Sequence, residues 1–142
     1  MTMPYRSGFP LPDVEHLDTR EWWARVRQHQ LTVQRCTHCR AFRHPPSPVC
    51  YQCHSFDFEW APVSGKGSVY SWIIANHPPS PALKEQVPYN VVVVELDDAD
   101  GIRMIGNLID VPDGEIRIGL PVEVVFEQVN DEVTLPQWKK AG

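Results

Sequence analysis

The chain has 142 residues, room for one ordinary domain or for a small domain with a smaller module attached. An apolar fraction of 42% is that of a globular protein, and the absence of any run of 18 apolar residues excludes a membrane-spanning helix. The net charge of −5 is unevenly spread: residues 61–142 carry six basic and twelve acidic groups, the wrong sign for a surface that displaces counterions from nucleic-acid phosphates.

Residues 1–34 form an N-terminal arm and helix. Nothing like an apolar signal core follows Met1-Thr2-Met3-Pro4-Tyr5-Arg6, so the expected location is the cytoplasm. Residues 1–17 are Pro-rich and read as an extended arm, either loose or laid on a partner. A helix follows, with Asp18 as N-cap, Glu21 completing a capping box, and Leu17 stapled against Trp22. Trp22, Trp23 and Val26 share one face. Two adjacent tryptophans on a short helix either cover the modules that follow or anchor a partner interface, where Trp is enriched.

Leu31-Thr32-Val33-Gln34-Arg35 alternates and leads into Cys36-Thr37-His38-Cys39. Ten residues later comes Cys50-Tyr51-Gln52-Cys53, and these are all the cysteines of the chain. Two Cys-x-x-Cys knuckles bring four thiolates together, which is what a tetrahedral structural zinc needs. A redox dithiol needs only one pair, and two disulfides belong to secreted domains. Cys36, Cys39, Cys50 and Cys53 are therefore the expected Zn²⁺ ligands of a zinc ribbon over residues 35–62. Residues 35–54 hold Arg35, Arg40, Arg43, His38, His44 and His54 but no acidic side chain. A zinc with four thiolates carries a formal charge of −2, which such cations offset; a phosphate site is the alternative. Phe56-Asp57-Phe58-Glu59-Trp60 reads as the strand leaving the second knuckle.

Ala61 to Gly67 reads as a hinge into a third region, residues 63–142. Strands are expected over Ser68 to His77, Tyr89 to Leu96, Ile102 to Ile109, Val122 to Val129 and Val133 to Leu135, with Val91 to Val94 buried on both sides. Asp97-Asp98-Ala99-Asp100-Gly101 lacks the terminal Glu of a calcium loop and reads as a hairpin turn. Five mostly antiparallel strands in so short a span make a small barrel of the OB type. The fold class is thus mainly β: an N-terminal helix, a zinc ribbon and a five-stranded C-terminal barrel.

Catalytic signatures are missing. There is no Gly-x-Ser-x-Gly, no cysteine remains once zinc takes four, and a four-thiolate zinc has no open position for water. The chain is not expected to supply catalytic residues of its own.

Taken together, these pieces resemble a known family. The Trp-bearing helix, the two knuckles, Phe42-Arg43-His44-Pro45-Pro46, the run Trp60 to Trp72, Pro88-Tyr89-Asn90-Val91-Val92, Gly106-Asn107-Leu108 and Arg117 to Glu127 follow one another in that family's order. The chain is similar, over roughly residues 15–138, to bacterial and archaeal proteins that join a rubredoxin-like zinc ribbon to an OB-fold domain in acyl-CoA metabolism. Family knuckles often place Gly after the second cysteine, where a positive φ is convenient; here Arg40 and His54 stand there.

The resemblance implies a non-catalytic accessory subunit. Its partner would be a thiolase-fold enzyme (a thiolase, an acyltransferase, or a retro-aldolase acting on steroid side-chain CoA thioesters), in a hetero-oligomer with two copies of each subunit. A hot-dog-fold enoyl-CoA hydratase is a second partner class. Acyl-CoA is the ligand such a setting suggests. Trp72, Tyr89 and Asn107 are candidates to lie near the substrate entrance, since OB folds bind through strand faces and adjoining loops. Two other functions remain on the table: a free-standing acyl-CoA binder that meets CoA phosphates with the knuckle arginines, and a nucleic-acid module, which the charge disfavours.

Overall fold

A computed structural model describes residues 9–142. The first eight residues of the expected arm lie outside the described residues; residues 9–18 run as coil and turns into the helix.

Helix α1, Arg20–Arg27, is one amphipathic segment that buries Trp22 and Val26. Its N-terminus differs from the expectation. Thr19 is the N-cap, with no side-chain cap bond, and the N–H groups of Thr19 and Arg20 are accepted by the His16 carbonyl at 3.1 and 2.8 Å. Asp18 turns back instead, its N–H donating to His16 Nδ1, and Leu17 is 74% exposed, so neither capping box nor staple forms. Glu21 is drawn away to accept the Trp60 indole N–H at 3.1 Å. The helix ends at His29, in the left-handed region at φ 61°, with the N–H groups of His29 and Gln30 returned to Val26 and Arg25.

Two sheets follow. The ribbon sheet has strand order β2-β1-β3, with β1 Thr32–Cys36 between β2 Phe42–Arg43 and β3 Phe58–Pro62. Its interior is polar as well as apolar: Gln34 and Arg43 are both buried. The Gln34 side-chain carbonyl accepts the Ser47 N–H at 2.8 Å, and Arg43 donates Nε and Nη2 to the Ser47 carbonyl. The proline-rich spacer is thereby tied to the sheet from both sides.

The second sheet has order β6-β5-β4-β8-β9-β7. It comprises β4 Lys66–Ala75, β5 Tyr89–Leu96, β6 Arg103–Gly106, β7 Leu108–Ile109, β8 Pro121–Gln128 and β9 Thr134–Lys140. The passage before it is no hinge. Val63 N–H bonds to the Leu31 carbonyl, Ser64 N–H to the Asp98 carboxylate at 2.9 Å, and Gly65, at φ 82°, packs so closely on Val124 that a Cβ would lie 2.5 Å from its methyl. The Asp97–Gly101 turn thus anchors the junction of the two sheets.

Three strand expectations are corrected. The strand expected over Ile102 to Ile109 breaks at Asn107: its first half pairs antiparallel with β5, its second half parallel with β9. The last strand runs on through Pro136 to Lys140 instead of stopping at Leu135. Val91 to Val94 alternate instead of being buried on both faces; Val92 and Val94 are fully buried, Val91 and Val93 half-buried. The core gathers Val69, Val92, Val94, Leu120, Val122 and Trp138 with Trp22, Val26 and Val33, so helix, ribbon and barrel share one apolar interior. No helix among the described residues is long and apolar enough to cross a membrane.

Candidate metal centre and adjoining groove

The four cysteines converge as the spacing requires. Their sulfur atoms all lie within 4.8 Å of one another, with Cys36–Cys53 at 3.5 Å and Cys39–Cys50 at 3.6 Å. A zinc tetrahedron with Zn–S bonds near 2.3 Å puts its sulfurs about 3.8 Å apart, so the set fits the ion. Backbone donors point at the sulfurs: Cys39 N–H reaches Cys36 Sγ at 3.5 Å, and Gln52 N–H reaches Cys50 Sγ at 3.4 Å. The Cys39 N–H is the main cause that holds the Cys36 thiol down to about 6, and the Cys53 N–H leads in lowering Cys50. Such donors stabilise the thiolates that bind metal. Both knuckles close through residues in the left-handed region, Arg40 at φ 67° and His54 at φ 64°. The geometry usually given to glycine is kept without it, at a conformational cost on the order of 1 kcal/mol each.

Four basic side chains around the knuckles are engaged within the ribbon. Arg40 pairs with Glu59 at 3.0 Å, His38 with Asp57 at 3.0 Å, Arg35 donates to the Arg40 carbonyl and lies over Phe42, and Arg43 is buried over Phe58. Each of these side chains thus has a partner inside the ribbon, and Arg40 and His38 remain more than half exposed.

The two tryptophans part company. Trp22 is 6% exposed and donates its indole N–H to the Thr32 carbonyl at 2.8 Å, tying α1 to the ribbon. Trp23, half-buried and edge-on to Trp22 at 4.7 Å, faces a groove of about 460 Å³ between α1, the His44-Pro45-Pro46 loop and the barrel. Arg103, Ile105, Gly106 and Asn107 form its floor, and Leu135, Pro136 and Gln137 its far wall.

Of the three entrance candidates, Asn107 lines this groove; Trp72 and Tyr89 do not. Trp72 packs on the core opposite Val92, and Tyr89, half-buried, meets the Phe9 ring edge-on at 5.1 Å. Asn107 is at the centre of a polar network. Its N–H donates to Gln137 Oε1 at 2.7 Å, its side-chain amide donates to the Asn90 carbonyl, and its Oδ1 accepts from Gln137 Nε2 at 3.1 Å. Buried Gln137 also reaches the buried Glu127 carboxylate at 3.4 Å. This network, with Gly106 lying where a Cβ would meet the Trp138 ring at 2.8 Å, sets the break between β6 and β7.

Sequence reasoning gave no role to Ile105, Pro136 or Gln137, and placed His44 only among the basic residues around the zinc. His44 stacks obliquely on Trp22 at 5.4 Å, and burial holds its imidazole down to about 4, so it is neutral at physiological pH. The one available signal was Pro136, an unusual residue inside a strand.

Comparison with known proteins agrees with this architecture. The ChsH2 rubredoxin-like zinc ribbon domain matches residues 23–59, and the ChsH2 C-terminal OB-fold domain matches residues 60–127. A solved structure described as "Ltp2-ChsH2(DUF35) aldolase" contains a chain 38% identical to this one, with a TM-score of 0.81 over 92% of this chain and 100% of that one. The chain belongs to this ChsH2/DUF35 family of zinc-ribbon and OB-fold proteins. Among curated relatives, it is 39% identical, over 93% of its length, to a probable enoyl-CoA hydratase alpha subunit of Thermomonospora curvata. It is 31% identical, over 85% of its length, to the 3-oxo-4,17-pregnadiene-20-carboxyl-CoA hydratase alpha subunit of Mycobacterium tuberculosis. The matched region spans 40% and 35% of those two proteins.

Proposed function

We propose that this chain is a non-catalytic scaffold subunit of an acyl-CoA-processing complex, which binds a thiolase-fold enzyme and helps to form its substrate entrance. The observation that carries this reading is the likeness, over 92% of this chain, to the DUF35 chain of an aldolase that also contains Ltp2. Its own chemistry supports an accessory part: the thiols form a closed four-sulfur set, and the buried polar groups around Asn107 are engaged in closing the barrel. A bulky acyl group such as a steroid side chain is the substrate class that the Mycobacterium tuberculosis relative favours.

Coexpression with a thiolase-fold protein of the same genome, followed by pull-down and assay with and without this chain, tests the proposal. A stable assembly with two copies of each subunit, and partner activity that depends on this chain, is the expected result. A fully active partner that never binds it would sink the reading. The hydratase names of the two relatives favour a second partner, a hot-dog-fold enoyl-CoA hydratase, to be offered in the same pull-down. Calorimetry with CoA thioesters on the isolated chain separates both from a free-standing acyl-CoA binder.

A further inference from the structure

The groove beside α1 is an unzipped seam of the barrel. Strand β6 pairs with β5 on one side, in a register where Leu96 N–H bonds to the Ile102 carbonyl and Val92, Val93, Val94 and Glu95 face Gly106, Ile105, Met104 and Arg103. Antiparallel bonding alternates along the strand, so Ile102 turns its C=O, and Met104 and Gly106 both their N–H and C=O, to β5, while Arg103, Ile105 and Asn107 turn theirs away from it. Asn107 confirms the direction: its N–H goes to Gln137 and its carbonyl accepts the Trp138 N–H at 3.0 Å. Among the described residues, no partner takes the backbone groups of Arg103 or Ile105.

The reason is on the opposite wall. In β9, the Val129 to Val133 bond fixes Val133, Leu135 and Gln137 as the residues bonded toward β8, so Thr134, Pro136 and Trp138 face the seam. Trp138 supplies its N–H there. Pro136 has none, and the seam stops zipping at that point. Trp22, Trp23, Pro45, Pro46 and Leu135 then wall the opening with apolar surface. Arg103, the one charged group among its described lining residues, is already paired through Nε with Glu95 at 3.5 Å and lies over the Tyr70 ring at 3.7 Å.

We propose that this seam receives an extended segment of the partner enzyme, which adds to β6 as a strand. The segment bonds through the N–H and C=O of Ile105 and Arg103 and rests apolar side chains against Trp23 and Pro46. This rests on the partner reading above and says where and how the partner is held. Backbone donors and acceptors spaced two residues apart along an open edge match a polypeptide better than a compact small molecule.

The test uses the full chain and the complex formed with the thiolase-fold protein. Hydrogen exchange at the Arg103 and Ile105 amides is expected to slow at least tenfold in the complex. Ile105→Pro removes the seam-facing N–H without touching a β5 bond, and is expected to weaken binding at least tenfold more than Ile105→Ala does. Zinc content and circular dichroism establish that each variant is folded; if Ile105→Pro is not, exchange in the wild-type complex decides. A complex that forms with both amides unprotected overturns this inference and leaves the scaffold reading standing. No complex at all overturns both. Protection that appears in the isolated chain at high concentration, or with a CoA thioester alone, assigns the seam to a second copy or to a small ligand and likewise overturns it.

Discussion

The two sheets of this chain are held together by different means. The ribbon has three strands, one of two residues, and an interior that includes Gln34, Arg43, Cys36 and Cys50. The barrel has six strand segments and an interior of Val, Leu, Met and Trp. Apolar burial is worth roughly 25 cal/mol per Å², and the ribbon has little such area of its own to bury. Its missing cohesion has to come from metal–thiolate bonds, whereas the barrel needs none. The helix bridges the two, with the Trp22 indole bonded to β1 and the Trp60 indole of β3 bonded to Glu21.

The sharpest way to break this comparison is to remove a metal ligand. Cys36→Ala, or a strong chelator, should forfeit on the order of 10 kcal/mol of zinc-coupled folding energy. Amides of β1 to β3 should lose exchange protection while those of β4, β5 and β8 keep theirs; simultaneous loss in both sheets would show that the contrast is wrong. The reverse experiment is Trp138→Ala. Trp138 is fully buried in the barrel, and its truncation should cost about 3–5 kcal/mol in denaturant unfolding with zinc stoichiometry unchanged.

His44 gives a smaller and pH-dependent handle at the boundary. Burial holds its imidazole down to about 4 in the folded chain, against an ordinary value of 6.5. Between those two values the unfolded chain binds more protons, so the His44 contribution is fully present above pH 6.5 and shrinks as pH falls toward 4. The gap in unfolding free energy between wild type and His44→Phe should therefore move by about 2 kcal/mol against wild type from pH 7 to pH 5. A gap that does not change with pH would mean that His44 keeps its ordinary titration. The smallest effect lies in the knuckles. His54→Gly relieves a left-handed backbone at an exposed side chain and should stabilise the ribbon by about 0.5–1 kcal/mol, visible as a raised midpoint with the same zinc affinity.

Several elements were legible because their signals are local. Two Cys-x-x-Cys pairs ten residues apart specify a metal centre by ligand count alone, and alternating β-branched residues between turn signals specify Tyr89 to Leu96 as a strand. The helix was legible in its apolar face but not in its start. Asp18 and Glu21 have the right spacing for a capping box, yet Glu21 is drawn to Trp60, 39 residues away. The break at Asn107 escaped notice for a similar reason. Nothing in Ile102 to Ile109 marks it, because it is set by Gln137 and Trp138 from a strand 30 residues on. The strand expected over Val133 to Leu135 stops one residue short of Pro136; in the fold the missing Pro136 N–H falls on the seam side, where no strand partner exists to miss it, and β9 runs on to Lys140.

The residue order alone therefore determined the zinc ligands, the helix face, most strands of the barrel and the resemblance to an accessory protein family. Each of these follows from short-range spacing and from side-chain chemistry that needs no distant partner. Tertiary structure alone decided that the knuckle arginines are already occupied, that Trp22 is internal while Trp23 borders a groove, and that the barrel stays open between β6 and β9. Those outcomes depend on which distant groups meet, and a buried polar atom or an open strand edge is defined only by its neighbours in space.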